Sequence, residues 1–110
     1  MQARAEIDAG ICGFQAAARA VSEDGMFVEL EVTSDCEKIR GLAEVLASKG
    51  PVNAYEEMNP VTDSVVMATA RECIKGCCAG CAVPVGIFKS MQVAAGLALP
   101  KDIAIRIVKG

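Results

Sequence analysis

The feature that most constrains the fold is a change in the spacing of apolar residues at about residue 34. Before it, apolar and polar side chains alternate, as in "ARAEID" and "MFVELEVTS", which is typical of strands with one buried face. After it, apolar residues recur every three or four positions, which is typical of helices that cover a core. Strands followed by helices predict an α+β domain built on an antiparallel sheet.

Turn and capping residues predict where these elements begin and end. "SEDG" separates "FQAAARAV" from "MFVELEVTS" and predicts a hairpin. The clearest helix is "SDCEKIRGLAEVLASKG", with Ser34 and Glu37 as a capping box. Two more helices are predicted at "TDSVVMATARECI" and, around Pro84, at "PVGIFKSMQVAAGLAL". "DIAIRIVK" alternates again and predicts a C-terminal strand, so that three helices pack on one face of three N-terminal strands plus this one.

The bulk composition excludes several classes of function. A net charge of −3 with dispersed cations and few aromatic residues argues against nucleic-acid binding. No apolar run reaches the ~18 residues of a membrane span, and the first residues have no apolar core for a secretory signal. The sequence therefore predicts a single cytoplasmic domain over residues 1–110, a monomer or homodimer with no nucleic-acid or membrane partner.

The chain has six cysteines and no histidine. The lack of histidine excludes a Ser–His or Cys–His nucleophile and a His-ligated zinc hydrolase. Cytoplasmic thiols stay reduced, so clustered cysteines there more often bind metal or exchange disulfides than crosslink a fold. The carboxylates of "YEEM" and "SED" are interpreted as solvated surface. A non-enzymatic role that depends on thiolates is therefore predicted.

Three of the cysteines lie at junctions between predicted elements. Cys12 lies between two glycines in a loop after the first strand. Cys36 lies at the start of a helix, where free N–H groups and the helix dipole stabilise a thiolate, and Cys81 lies before the last helix. Residues at such junctions usually point to a common edge of a domain, which predicts one shared site.

The stretch "CIKGCCAGC" supplies the remaining cysteines. Cys78 and Cys81 form a C-x-x-C pair, a spacing that lets two thiolates hold one ion or pair with each other. Cys77 and Cys78 are adjacent, and we expect only one of them to bind the ion. Cys73 lies on the apolar face of its helix and is interpreted as core. A set of four thiolates can bind either zinc or an iron–sulfur cluster and does not distinguish between the two. The predicted metal ligands are Cys12, Cys36, Cys77 or Cys78, and Cys81.

These cysteines come in a recognisable order, in "ICGF", "VTSDCEKI" and "CCAGCAVPVGIFKSM". In this the chain resembles the IscU/NifU N-terminal scaffold family of iron–sulfur cluster assembly, from about residue 6 to residue 99. The resemblance implies an iron–sulfur cluster or zinc on Cys12, Cys36 and either Cys81 or Cys78, plus one further ligand, and cluster-assembly or sulfur-donor proteins as partners. Phe14 replaces the family's aspartate, and the histidine beside the third cysteine is missing, which favours stable binding over transfer. A small cysteine-rich family of the same architecture and unassigned function fits these residues equally well.

Two further interpretations remain open. In the first, Cys78 and Cys81 form the reversible disulfide of a thiol redox module, with Cys36 as an activated thiolate. In the second, the cysteines only pack, and the chain is a structural or interaction domain that uses exposed Phe27 and an edge strand to dimerise.

Overall fold

The α+β fold predicted from the sequence is confirmed. A computed structural model describes residues 1–110, and its radius of gyration, 13.5 Å, is near the ~13 Å of a compact domain of this length. A four-stranded antiparallel sheet, in the order β1-β2-β3-β4, carries the helices. The elements in chain order are β1 Gln2–Asp8, β2 Gln15–Val21, β3 Phe27–Ser34, α1 Glu37–Lys49, β4 Val52–Asn53, α2 Ala54–Met58, α3 Val65–Cys73, a 3₁₀ turn Gly76–Cys78, and α4 Val83–Ala94.

One face of the sheet packs against helices because its side chains alternate in register. Ala18 in β2 lies opposite Ala5 in β1 and Val32 in β3, and all three point to the helical side. Helix α4 lies over β1 and β2, and α1 lies over β3. The small residues of this face let the helices approach closely. At Gly86 in α4, an added Cβ would lie only 2.5 Å from the Cγ1 atom of Ile7.

The core lies between this face and the helices. Seventeen buried apolar residues form one cluster. Its largest fully buried side chains come from α1, α3, α4 and β3, and include Leu42, Val66, Ile87, Met91 and Val28. The opposite face of the sheet is open and polar, with exposed ion pairs Arg4–Glu6 at 3.3 Å and Arg19–Glu31 at 3.8 Å.

The predicted C-terminal strand is wrong. The segment "DIAIRIVK" belongs to no helix or strand, and the fourth strand is Val52–Asn53, which pairs with the start of β3. Alternation indicates that a segment can form a strand, but a strand also needs the edge of another strand to pair with. Within this chain, no strand edge pairs with that segment. The helices number four, because the short helix α2 adds to the three predicted.

One stretch meets the criteria of a membrane span, contrary to the expectation from the sequence. Gly76–Ala94 contains 19 residues with a mean hydropathy of 1.3, enough to cross a membrane by length and composition alone. In the fold, its second part is α4, whose Ile87 and Met91 are fully buried against the sheet. The core helix of a globular domain passes the same test, so the finding is weak support for a membrane segment.

Candidate thiol site at one end of the domain

The loop that carries Cys12 lies at one end of the sheet. Residues 9–14 join β1 to β2, and the Ala9 N–H donates to the Phe14 carbonyl at 3.1 Å. Gly10 and Gly13 have φ angles of 95° and 76°, a backbone conformation that side chains disfavour, so the tight turn requires glycine at both positions. Cys12 is exposed between them.

Cys36 lies at the same end, because β3 finishes beside the start of β2. The Ser34 hydroxyl donates to the Gln15 carbonyl at 2.7 Å and accepts from the Cys36 N–H at 3.0 Å. Cys36 is the N-cap residue of α1, and its side chain caps no N–H group. The predicted capping box from Ser34 to Glu37 is therefore wrong, because the Ser34 hydroxyl closes a turn before the helix instead.

The cluster loop, residues 73–82, approaches the start of α1. The Lys38 ammonium donates to the Lys75 carbonyl at 3.4 Å, which links the first turn of α1 to this loop. The Cys81 N–H donates to the Cys78 carbonyl at 3.0 Å, so these two cysteines close one turn.

Helix α4 brings Cys81 to the same end. Gly86 lies against Ile7, one residue before the end of β1, so the first turn of α4 lies near the loop of residues 9–14. The N-cap residue of α4 is Ala82, which has no side chain able to cap, and Cys81 directly precedes it. We call this part of the molecule the cysteine end: residues 9–14, Cys36 and residues 73–82.

The cysteine end gathers the predicted ligands without assembling a metal site. Four thiols are half-buried and pack against the core, namely Cys36, Cys73, Cys78 and Cys81, whereas Cys12 and Cys77 are exposed. All six thiols are free. No group of three or more Cys, Asp or Glu side chains has the arrangement that would hold a metal ion. The segments that carry the predicted ligands therefore lie at one end of the domain, but their thiols are not arranged around an ion, and the shared site stays a prediction.

The opposite end of the domain is built differently, and we call it the capped end: residues 22–26 and residues 53–68, which run from the N-cap of α2 to the first turn of α3. The Asn53 side chain accepts N–H groups at the start of α2, and the Ser64 hydroxyl accepts the Met67 N–H at 3.0 Å. Glu57 is 5% exposed and accepts the Val65 and Val66 N–H groups at 2.7 and 2.8 Å. The sequence interpretation of "YEEM" as solvated surface is thus wrong for Glu57, which anchors α3.

Two carboxylates of the capped end have lowered pKa values. The Met26 and Phe27 N–H groups, each 2.9 Å from the Asp24 Oδ1, hold the pKa of Asp24 below its ordinary 3.8. The hydrogen bond from the Arg71 guanidinium, followed by that from the Ser64 N–H, lowers the pKa of Asp63. Both carboxylates therefore favour their ionised form in the folded chain.

Comparison with known proteins places the chain in one family. A family of unknown function (DUF6951) matches residues 3–107, nearly the whole chain, and the chain belongs to that family. Searches of curated proteins and of solved structures returned no match. The family description names no ligand or reaction, so the resemblance to cluster scaffolds stays a prediction.

Proposed function

We propose that this family member binds a metal ion, zinc or the iron of an iron–sulfur cluster, through thiolates at its cysteine end. The observation that carries the proposal is the meeting of three separate chain segments there: the loop of residues 9–14, the start of α1 and the cluster loop. Each of these segments brings at least one thiol, and all six thiols are free. Thiolates from remote segments are the donor set that zinc and iron–sulfur clusters take.

The proposed ligands are Cys12, Cys36, Cys81 and one of Cys77 and Cys78. Because no set of three is arranged around an ion, binding has to move the exposed loops onto the half-buried thiols of Cys36 and Cys81. Binding of this kind couples metal uptake to local ordering, so the metal stabilises the folded state.

Two uncapped helix starts add a physical reason for thiolates at this end. The N-cap positions of α1 and α4 have no side-chain hydrogen bond, and a cysteine lies at or next to each. Free N–H groups and the positive end of the helix dipole stabilise a nearby negative charge. The uncapped starts therefore leave N–H donors free to hydrogen-bond metal-bound sulfur.

A reducing, cytoplasmic setting and a binding role without catalysis are parts of the proposal. Six unpaired thiols fit a compartment in which thiols are kept reduced. Cluster-assembly or sulfur-donor proteins would be the partners if the cargo is an iron–sulfur cluster, as the resemblance implies.

Anaerobic purification followed by elemental analysis and a visible spectrum tests the proposal. We expect about one zinc per chain, or iron and sulfide with charge-transfer absorption, and a metal content below about a tenth of an equivalent in Cys36→Ser and Cys81→Ser. Cys73→Ser is the matched control, because Cys73 is also half-buried but lies outside the proposed ligand set. Equal metal content in all three variants, or none in the parent protein, would refute metal binding.

A second candidate, thiol–disulfide exchange, is favoured by the turn that Cys78 and Cys81 close. Turn residues i and i+3 lie within about 7 Å of each other at Cα, which overlaps the range of about 4.4–6.8 Å that a disulfide spans. The two thiols would reduce a substrate disulfide, giving two substrate thiols and one Cys78–Cys81 bond. Thiol titration after mild oxidation distinguishes the candidates: a loss of two thiols per chain, absent in Cys81→Ser but kept in Cys77→Ser, supports exchange.

A further inference from the structure

The segment of residues 99–110 exposes an alternating apolar pattern without any partner. Every residue in it is exposed, including Ile105 at 67% and Ile107 at 89%. The segment belongs to no helix or strand, and none of its backbone groups takes part in a backbone hydrogen bond. Large apolar side chains on every second residue, with unpaired backbone groups between them, are the signature of a strand that pairs with another sheet.

The same chain offers an edge of matching length. Strand β1 has seven residues and pairs only with β2. The Ser22 N–H donates to the Met1 carbonyl at 2.9 Å and the Ala9 N–H to the Phe14 carbonyl at 3.1 Å, so the odd-numbered residues of β1 direct their backbone groups to β2. The even-numbered residues direct theirs outward: Gln2, Arg4, Glu6 and Asp8.

The side chains of the segment fit the two faces beside this edge. The small Ala3 and Ala5 point to the helical side of β1, which leaves room beside them for isoleucines of the segment. Lys89 and Val93 follow Gly86 on the flank of α4 that lies over β1, and would cover the added isoleucines.

Charge favours alignments that set Arg106 opposite an acidic residue of β1. A pairing that sets Arg106 opposite Glu6 also puts the isoleucines on the helical side, whether the strands run parallel or antiparallel. The antiparallel pairing shifted by two residues would set Arg106 opposite Arg4, and like charges directly opposite each other destabilise a strand pair. Glu6 is exposed on the open face, where it contacts Arg4 at 3.3 Å and is accessible to a second arginine.

We propose that residues 99–110 add a fifth strand to the sheet of a second copy, along its β1, and that the exchange is reciprocal. One chain supplies both the unpaired segment and the unpaired β1 edge, so a reciprocal two-fold dimer uses both in each copy and leaves neither of them free. This inference does not depend on metal binding at the cysteine end.

Sedimentation equilibrium on the 110-residue chain tests the dimer, with Ile105→Glu and Ala104→Glu as a matched pair. We expect a mass of twice 11.4 kDa for the parent chain. Ile105→Glu should raise the dimer dissociation constant at least about 100-fold because it buries a carboxylate, whereas Ala104→Glu, on the open face, should change it less than about 5-fold. A monomeric parent chain, or equal effects of the two substitutions, would overturn the proposal.

Two further measurements identify the edge. Arg106→Glu should weaken the dimer, and adding Glu6→Arg should restore it. Amide hydrogen exchange at Arg4, Glu6 and Asp8 should be slowed in the dimer and fast in Ile105→Glu. Fast exchange at these amides in a dimeric parent chain would overturn pairing along β1, and slow exchange in a monomer would show that the segment folds back on its own edge.

Discussion

The two ends of the domain differ in how the N-termini of their helices are capped. At the capped end, α2 and α3 each begin with a side chain that accepts N–H groups, and the buried Glu57 accepts two more. At the cysteine end, α1 and α4 begin without any side-chain cap, although a cysteine lies at or beside each start.

This difference indicates that the capped end contributes mainly to stability and the cysteine end mainly to binding. Oxygen acceptors at a helix start stabilise the fold by satisfying donors that have no partner within the helix. A thiol at the same position does this poorly, so the fold gains less from Cys36 than from Ser64, and the donors at the cysteine end stay free for a thiolate. Substitutions at the capped end should therefore change unfolding, and those at the cysteine end should change binding.

The largest effect on stability is expected at Glu57. Glu57→Ala leaves the N–H groups of Val65 and of the buried Val66 without their acceptor and should lower the free energy of unfolding by about 3 kcal/mol. Urea denaturation measures it, and Glu56→Ala is the control because Glu56 is exposed one residue earlier. Equal losses in the two variants would contradict the anchoring role of Glu57.

Ser64 should show a smaller loss that depends on Glu57. Ser64→Ala removes the cap on the Met67 N–H and the hydroxyl that donates to Glu57 at 2.8 Å, and should cost about 1–2 kcal/mol. Because the two side chains share one network, the double variant should lose less than the sum of the single losses. Strict additivity in urea denaturation would show that the two caps act independently.

At Cys36 a substitution should raise the free energy of unfolding instead of lowering it. Its backbone, with φ −74° and ψ 123°, already has the N-cap conformation, so Cys36→Ser supplies the missing acceptor. In the metal-free protein we expect the free energy of unfolding to rise by about 0.5 kcal/mol, while metal binding is lost. Cys73→Ser, at the end of α3, should give no such gain. Destabilisation by Cys36→Ser would show that its sulfur matters for packing rather than for binding.

The sequence was sufficient to predict the fold class, but not the contacts at the two ends of the domain. Alternation in "ARAEID" and "MFVELEVTS" correctly predicted β1 and β3, because each strand has one buried face. The capping box at Ser34 was wrong because the Ser34 hydroxyl donates to the Gln15 carbonyl and accepts from the Cys36 N–H, and the tertiary contact with Gln15 has no local signal. The burial of Glu57 likewise depends on α3 folding back over it. The alternating pattern of residues 99–110 predicts a strand, but it does not indicate which strand edge the segment would pair with.

The smallest expected effect is on the pH dependence of stability, and it comes from carboxylates at the capped end. The pKa of Asp63 is lowered in the folded chain, so its contribution is present above the unfolded value of 3.8 and is lost as the pH falls through the lower folded value. Asp24 contributes in the same direction. Between pH 5 and about pH 2.5 the thermal midpoint should therefore fall less steeply in Asp63→Asn than in the parent chain, although it starts lower at pH 5. Cys36→Ser, at the other end, should keep the slope of the parent chain, and a flattened slope in that variant would mean that the two ends do not respond separately.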